Sequence, residues 1–168
     1  MELTIRLPAF LHAALHCWTT LSTMASGRRG GRGSAEFAIR HHNPPGLWSS
    51  PRLTQVVEVQ GARMIYLSGQ APADASYKVN SANFRDQANA VYDNIETALQ
   101  SVGAGLHNIV KTTTYLTDAA NLKDLREVRL ARYNNLQAPP ANTLLIVSRL
   151  AEPEFLVEID VVAALPAT

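Results

Sequence analysis

The chain has 168 residues, a formal net charge of +1 and one cysteine. This length is enough for one domain with a sizeable hydrophobic core, and no repeat or linker divides it. The near-neutral charge argues against nucleic acid or a membrane surface as a partner, and the lone Cys17 excludes an intramolecular disulfide and a multi-cysteine metal site.

Residues 1–42 differ in composition from the rest of the chain. No acidic residue occurs from Leu3 to Ala35, and the run Gly27–Ser34 is too rich in glycine and arginine to fold. We interpret 1–42 as a disordered or targeting extension and 43–168 as the domain. A dispensable extension with translation starting at Met24, a transit peptide and a poor secretory signal all stay open. The expected location is the cytoplasm, or the mitochondrion if the extension is a transit peptide.

The first half of the domain predicts two strands and a helix. Leu53–Gln60 alternates and is rich in valine, and Met64–Leu67 is a short apolar run. With Gly61-Ala62 as the turn between them, these segments predict a β-hairpin. Asn83 suits a helix N-cap, apolar residues follow it at helical spacing, and Gly103 suits the position after a helix.

The second half predicts a strand, a helix and two more strands. Ile109–Leu116 is rich in β-branched residues, and Thr117 or Asp118 can cap the helix that follows. Thr143–Ser148 and Phe155–Ala163 predict the last two strands. The order β-β-α-β-α-β-β predicts an α+β fold with one sheet and two helices on one face. The apolar positions of the second helix are Leu122, Leu125, Val128, Leu130 and Tyr133.

The last predicted strand carries two acids among apolar residues. Since successive side chains of a strand point to opposite faces, Val157 and Ile159 cover a core while Glu158 and Asp160 face water or a protein interface. On the strand before it, Asn142, Leu144, Ile146 and Ser148 share a face. If that face lies opposite the helices, its apolar residues lack cover, and the sheet would oligomerise through it.

Four segments in this order resemble the Rid (reactive intermediate deaminase, or YjgF) family: Tyr66–Gln70, Asn108–Asp118, Pro140-Ala141-x-Thr143 and Val157–Asp160. The resemblance runs from about Asn43 to Ala163. It implies a chorismate-mutase-like fold with a mixed sheet, and a homotrimer whose sheets form a central barrel with a cleft at each subunit boundary. It also implies hydrolysis of reactive enamines and imines to 2-keto acids and ammonia, without a metal or an organic cofactor.

The resemblance further implies which residues contact a small-molecule substrate. Glu158 matches a glutamate that positions the attacking water, Ser68 and Gly69 match a turn that holds the substrate, and Leu144 matches a residue that lines the site. Asp160 is expected to be structural. From the residues alone, hydrogen bonds at an interface are the favoured role of Glu158 and Asp160, and only the resemblance makes Glu158 a site residue.

Three positions depart from the typical family pattern. Asn142 stands where other members have an arginine that binds the substrate carboxylate, and a neutral amide would lose about 2 kcal/mol or more of charge-assisted bonding. Leu53 replaces a tyrosine. Arg126 occupies the position of a site-facing asparagine and could supply a displaced cation, although a helix arginine is more often solvated.

The sequence therefore predicts an enamine/imine deaminase whose substrate is not simple 2-aminoacrylate. The alternative is a non-catalytic trimer that binds a small metabolite in the same clefts. Ribonuclease activity, which has been attached to the family, has no support from a basic stripe or a set of base-stacking aromatic residues.

Overall fold

The structure is a computed structural model and describes residues 35–167. This part of the chain confirms the predicted α+β class and the order of the predicted elements, with one more strand at its start. A short 3₁₀ turn precedes β4 and another precedes α2. Within the described range, no helix is both long enough and apolar enough to cross a membrane. The strands and α-helices are β1 (Ala38–His42), β2 (Val56–Gln60), β3 (Ala62–Gln70), α1 (Phe84–Gln100), β4 (Ile109–Leu116), α2 (Leu122–Tyr133), β5 (Ala141–Ile146) and β6 (Val157–Pro166).

The main sheet is mixed and has the strand order β3-β6-β4-β5. Strand β6 is antiparallel to both β3 and β4, whereas β5 is parallel to β4. The predicted hairpin is wrong, because β2 pairs with β1 in a separate two-stranded ribbon and β3 pairs with β6. Gly61, with a φ of 59°, redirects the chain between ribbon and sheet, and a Cβ there would lie 2.9 Å from the Ala35 carbonyl carbon.

Strand β1 lies in the segment that the sequence assigned to the extension. Ala38–His42 pairs in register with β2, and Arg40 faces Glu58 across the ribbon, with Nη1 3.5 Å from Oε1. These five residues therefore form a strand where an extension was expected. The interpretation of residues 1–34 lies outside the described part of the chain.

Both helices pack on one face of the main sheet and bury the core against it. Asn83 caps α1 as predicted, since its Oδ1 accepts from the backbone N–H groups of Arg85 and Asp86 at 2.8 and 3.3 Å. The predicted core side of the last strand is confirmed, with its apolar residues almost fully buried. The core includes Val91, Ile95 and Leu99 from α1, Leu125 and Val128 from α2, and Val157, Ile159, Val161 and Ala163 from β6.

One position of α2 departs from the predicted apolar stripe. Leu130 is 43% exposed, whereas the neighbouring Arg129 is only 6% exposed. Residues four apart lie on the same side of a helix, so Arg129 falls between Leu125 and Tyr133, which are both buried. A charged residue thus occupies a core-facing position, and an apolar one faces outward.

The other face of the main sheet, which we call the open face, carries no helix formed by residues 35–167. It presents apolar side chains, including Met64, Leu145 and Tyr66, the last 75% exposed. The prediction that Asn142, Leu144 and Ile146 could lie on this face is wrong. Strand β5 pairs with β4 so that Asn142 is level with Thr112, which is buried beneath the helices, and Leu144 packs against the core.

Candidate functional site

The predicted site residues separate into two groups on opposite faces of the main sheet. Gly69 lies against Glu158 on the open face, and Ser68 is next to it in β3. The other four, Leu53, Arg126, Asn142 and Leu144, line one cavity on the helix side of β5. Within one chain the two groups therefore cannot contact the same small molecule.

From the first group we take Gly69 and Glu158, and with their neighbours Tyr115 and Asp160 we call them the acid cluster. Strand β3 continues through Gly69, where the sequence predicted a turn, and its pairing with β6 shifts register between Leu67 and Gln70. A Cβ on residue 69 would lie 2.9 Å from Glu158 Cδ and 3.2 Å from Asp160 Oδ1. Only glycine therefore lets the strand lie this close to both carboxylates.

Tyr115 fixes one of the two acids. It lies opposite Glu158 in the β4–β6 pairing, and its hydroxyl donates to Asp160 Oδ2 at 2.8 Å. This hydrogen bond is the main reason that the pKa of Tyr115 is raised. Since the phenol stays protonated and holds Asp160 in place, Asp160 keeps the structural role that the sequence suggested.

Glu158 is the acid whose protonation is perturbed. Partial burial raises the pKa of its carboxyl above the ordinary value of 4.5, and the negative charge of Asp160 raises it further. Both effects favour the neutral form of the carboxyl. Glu158 is therefore better suited than a free glutamate to give a proton to a ligand and to take one back.

A buried glutamine holds the segment that leads to Glu158. The Gln87 amide nitrogen donates to the carbonyl oxygens of Ser81 and Glu154, at 3.0 and 2.9 Å, and its oxygen accepts from the backbone N–H of Leu156 at 2.9 Å. Helix α1 thus fixes the backbone two residues before Glu158. Gln87 was not among the residues predicted from the sequence, although its position beside the apolar stripe of α1 was a signal that could have found it.

The loop after β3 places a tyrosine near the acid cluster. Tyr77 has a φ of 60°, a conformation that is uncommon for a residue other than glycine. Its ring packs edge-on against Phe155, with the ring centres 5.8 Å apart. Desolvation, then Glu152 and, more weakly, Glu158 raise the pKa of the Tyr77 hydroxyl. The phenol therefore remains a neutral donor beside the acidic residues.

We call the second group the arginine cavity, a space of about 250 Å³ beside β5. Asn142 lies at its edge, and its Oδ1 accepts from the hydroxyls of Thr112 and Thr114 at 2.9 and 3.3 Å. The carbonyl end of the amide is therefore committed to the sheet. The walls are formed by Trp48, Leu53, Leu122, Leu125 and Leu144 together with Arg52, Arg126 and Arg129.

Residues 35–167 contain no group of three or more His, Cys, Asp or Glu side chains arranged to hold a metal ion. The acid cluster has two carboxylates, one of which is held by a tyrosine. What it offers is a perturbed carboxyl group, a fixed carboxylate and a strand without a side chain at the point of closest approach.

Known proteins share both the sequence pattern and the fold. The family model described as Endoribonuclease L-PSP matches residues 49–165. A RutC family protein of Aquifex aeolicus is 31% identical over 113 residues, which cover 66% of this chain and 86% of that protein. TdcF of Escherichia coli, whose name describes a candidate reactive intermediate deaminase, is 27% identical over 101 residues, covering 60% and 78%.

The fold is also found in a solved structure. The crystal structure of YyfB from Yersinia pestis, described as a member of the conserved Rid family, has a TM-score of 0.71 and 29% identity, and the match covers 76% of this chain and 98% of that one. Together with the family model, which spans more than half of the chain, this places the motifs of the sequence on the expected fold. The chain therefore belongs to the Rid (YjgF) family.

Proposed function

We propose that this protein is an enamine/imine deaminase that acts without a cofactor. It would add water to a reactive carbon–nitrogen double bond and release a carbonyl compound and ammonia. The observation that carries this proposal is the perturbed Glu158 carboxyl, held against Gly69 on the open face. The name of TdcF, a relative at 27% identity, agrees with this chemistry.

Glu158 would act as both the acid and the base of the reaction. In its protonated form it gives a proton to the carbon of an enamine or to the nitrogen of an imine, and either step yields an iminium cation. The resulting carboxylate then removes a proton from the water that attacks the imine carbon. The acid regenerated in this way protonates the amino nitrogen of the carbinolamine. As the carbonyl forms, the carbon–nitrogen bond breaks, ammonia leaves and the hydroxyl proton returns to the carboxylate. A raised pKa suits this exchange because the protonated form of the carboxyl persists to higher pH than in a free glutamate.

The complete site would form between two copies of the chain. The acid cluster and the arginine cavity lie on opposite faces of one sheet, so only a second copy can bring an acid cluster to an arginine cavity. The exposed Met64, Tyr66 and Leu145 supply an apolar open face that association would cover. We propose a homotrimer with one shared cleft at each boundary.

Asn142 makes simple 2-aminoacrylate a poor substrate. Position 142 carries no charge, and the amide oxygen is already bonded to Thr112 and Thr114.

A non-catalytic trimer that binds a metabolite in the same clefts is the second candidate, favoured by the loss of a cation at position 142. Ribonuclease activity, which the description of the family names, is not proposed, since two adjacent carboxylates repel a phosphate backbone.

A deaminase assay with enzymatically generated 2-aminoacrylate and 2-aminocrotonate, followed by a wider panel of imines, tests the proposal. We expect little ammonia release from the two small substrates, measurable release from at least one member of the panel, and none from Glu158→Gln. Light scattering should give the mass of three subunits. Full activity of Glu158→Gln would refute the role of this acid, and a monomer would remove the shared cleft.

A further inference from the structure

One buried arginine in the arginine cavity lacks the partners that such burial usually requires. Arg129 is 6% exposed, and its Nε and Nη2 atoms are buried without a hydrogen-bond partner among residues 35–167. Its guanidinium carbon lies 5.5 Å from the centre of the Tyr133 ring. A desolvated cation is costly unless acceptors or a counter-ion surround it.

A second arginine of the same helix shows the ordinary arrangement. Arg132 is also partly buried, but its Nη1 atom lies 2.7 Å from Asp93 Oδ1 and 3.2 Å from Glu96 Oε1. Two carboxylates of α1 thus compensate its charge. Arg129 has no such ionic compensation among residues 35–167.

The surroundings of Arg129 are positively charged. Arg52 and Arg126 line the same cavity, and no aspartate or glutamate of the described range lines it. Burial lowers the pKa of Lys111, whose side chain lies on the open face beside Thr143, and the positive charge of Arg129 across the sheet lowers it further. Cations that repel one another in this way are stabilised by a bound anion.

The rest of the cavity is apolar and small. Leucine side chains from the segment before β2, from α2 and from β5 form its walls together with the indole of Trp48, and its volume is about 250 Å³. The amide of Asn142 is the neutral polar group of the β5 wall. An anion that fits here has one compact charged group and an apolar body.

We propose that Arg129 binds the carboxylate of a small organic acid whose apolar body lies against the leucines of the arginine cavity. A guanidinium presents its donors in a planar fork that matches the two oxygens of a carboxylate. The cation thus stands on α2 rather than at position 142 of β5, beside leucines that favour an acid with a larger apolar body than 2-aminoacrylate. This inference rests on the proposed function in one respect, because the bound acid would be the imine substrate. Binding itself requires no catalysis.

Direct binding tests the role of Arg129. Cyclohexanecarboxylate is the probe, and cyclohexanecarboxamide is its uncharged counterpart. Binding of both is measured by calorimetry and by the change in tryptophan emission, to which Trp48 of the cavity contributes. We expect the wild-type protein to bind the carboxylate in preference to the amide. Arg129→Met should weaken carboxylate binding by roughly ten- to a hundredfold. Lys123→Gln removes one exposed charge from the same helix and should leave binding unchanged.

Thermal unfolding separates binding from a structural role. Arg129→Met should unfold at the same temperature as the wild type or higher, because it removes a buried charge that has no ionic partner among the described residues. Equal binding of acid and amide by the wild type, unchanged binding by Arg129→Met, or a much lower unfolding temperature for this variant would each overturn the inference. The two proposals can fail separately: a wild-type protein that binds the probe but releases no ammonia from any imine refutes the deaminase proposal and leaves this inference intact.

Discussion

The close approach of β3 to the acid cluster can be tested with a single methyl group. In Gly69→Ala, the added Cβ would lie 2.9 Å from Glu158 Cδ, whereas ordinary contact begins at 3.4 Å, so the carboxyl carbon must retreat by about 0.5 Å. The carboxylate oxygen nearest to Gly69 must move further. A catalytic group displaced by about 1 Å can lose roughly a hundredfold in rate. We therefore expect kcat/KM for imine hydrolysis to fall by about that factor.

Stability should respond much less than activity. Residue 69 does not need a left-handed conformation, and the displaced atoms belong to the end of a flexible side chain. The free energy of unfolding should fall by about 1 kcal/mol or less, the cost of an off-rotamer side chain. Stopped-time ammonia assays give the rate, and denaturant unfolding gives the stability.

A second glycine provides the matched control. Gly103 has a φ of 76°, and no atom lies within 4 Å of a Cβ built there. Gly103→Ala should therefore lose about 1 kcal/mol of stability through backbone strain and keep its activity. The reasoning would be refuted if Gly69→Ala retained the wild-type kcat/KM, or if both variants lost activity in proportion to their stability.

Three further predictions concern Glu158, Gln87 and Leu145. Burial and Asp160 raise the pKa of Glu158 in the folded protein, so the ionised group opposes folding once the pH rises through that pKa. Glu158→Gln should therefore unfold at a higher temperature than the wild type at neutral pH. This difference in unfolding temperature should vanish below pH 4.5, the ordinary pKa of the group. Gln87→Ala leaves the Leu156 N–H and two carbonyls without their partner and should cost about 1–3 kcal/mol in denaturant unfolding; a smaller change would show that this amide is dispensable. Leu145→Glu places a charge on the open face and should shift the light-scattering mass towards one subunit, whereas an unchanged mass would move the proposed interface elsewhere.

Local sequence patterns predicted the individual helices and strands of this fold better than they predicted which strands pair. The cap at Asn83 and the alternation of β6 depend on neighbours in sequence, and both are confirmed. The hairpin was wrong because the turn at Gly61 is a local signal, whereas the pairing of β2 with β1 is decided by distant residues. Ala38–His42 also has only one β-branched residue, Ile39, and ends in Arg40-His41-His42, so its composition did not mark it as a strand.

The two halves of the site show the same limit. Alternation along a strand predicts that Glu158 and Ile159 face opposite sides of the sheet. It does not predict whether Asn142 lies on the side of Glu158 or on the side of Ile159. The side of Asn142 depends on the parallel register of β4 and β5, in which Asn142 is level with Thr112. Arg129 left a signal in the sequence, because it stands at helical spacing between Leu125 and Tyr133, where an apolar residue is expected.

The separation of Glu158 and Asn142 onto opposite sides of one sheet has a genetic consequence. If each shared cleft combines the acid cluster of one chain with the arginine cavity of its neighbour, two inactive alleles can rescue one another. Mixed assemblies of Glu158→Gln chains and Arg129→Met chains would contain intact shared clefts, about a quarter of the total when chains mix at random. A single-chain site would show no such interallelic complementation.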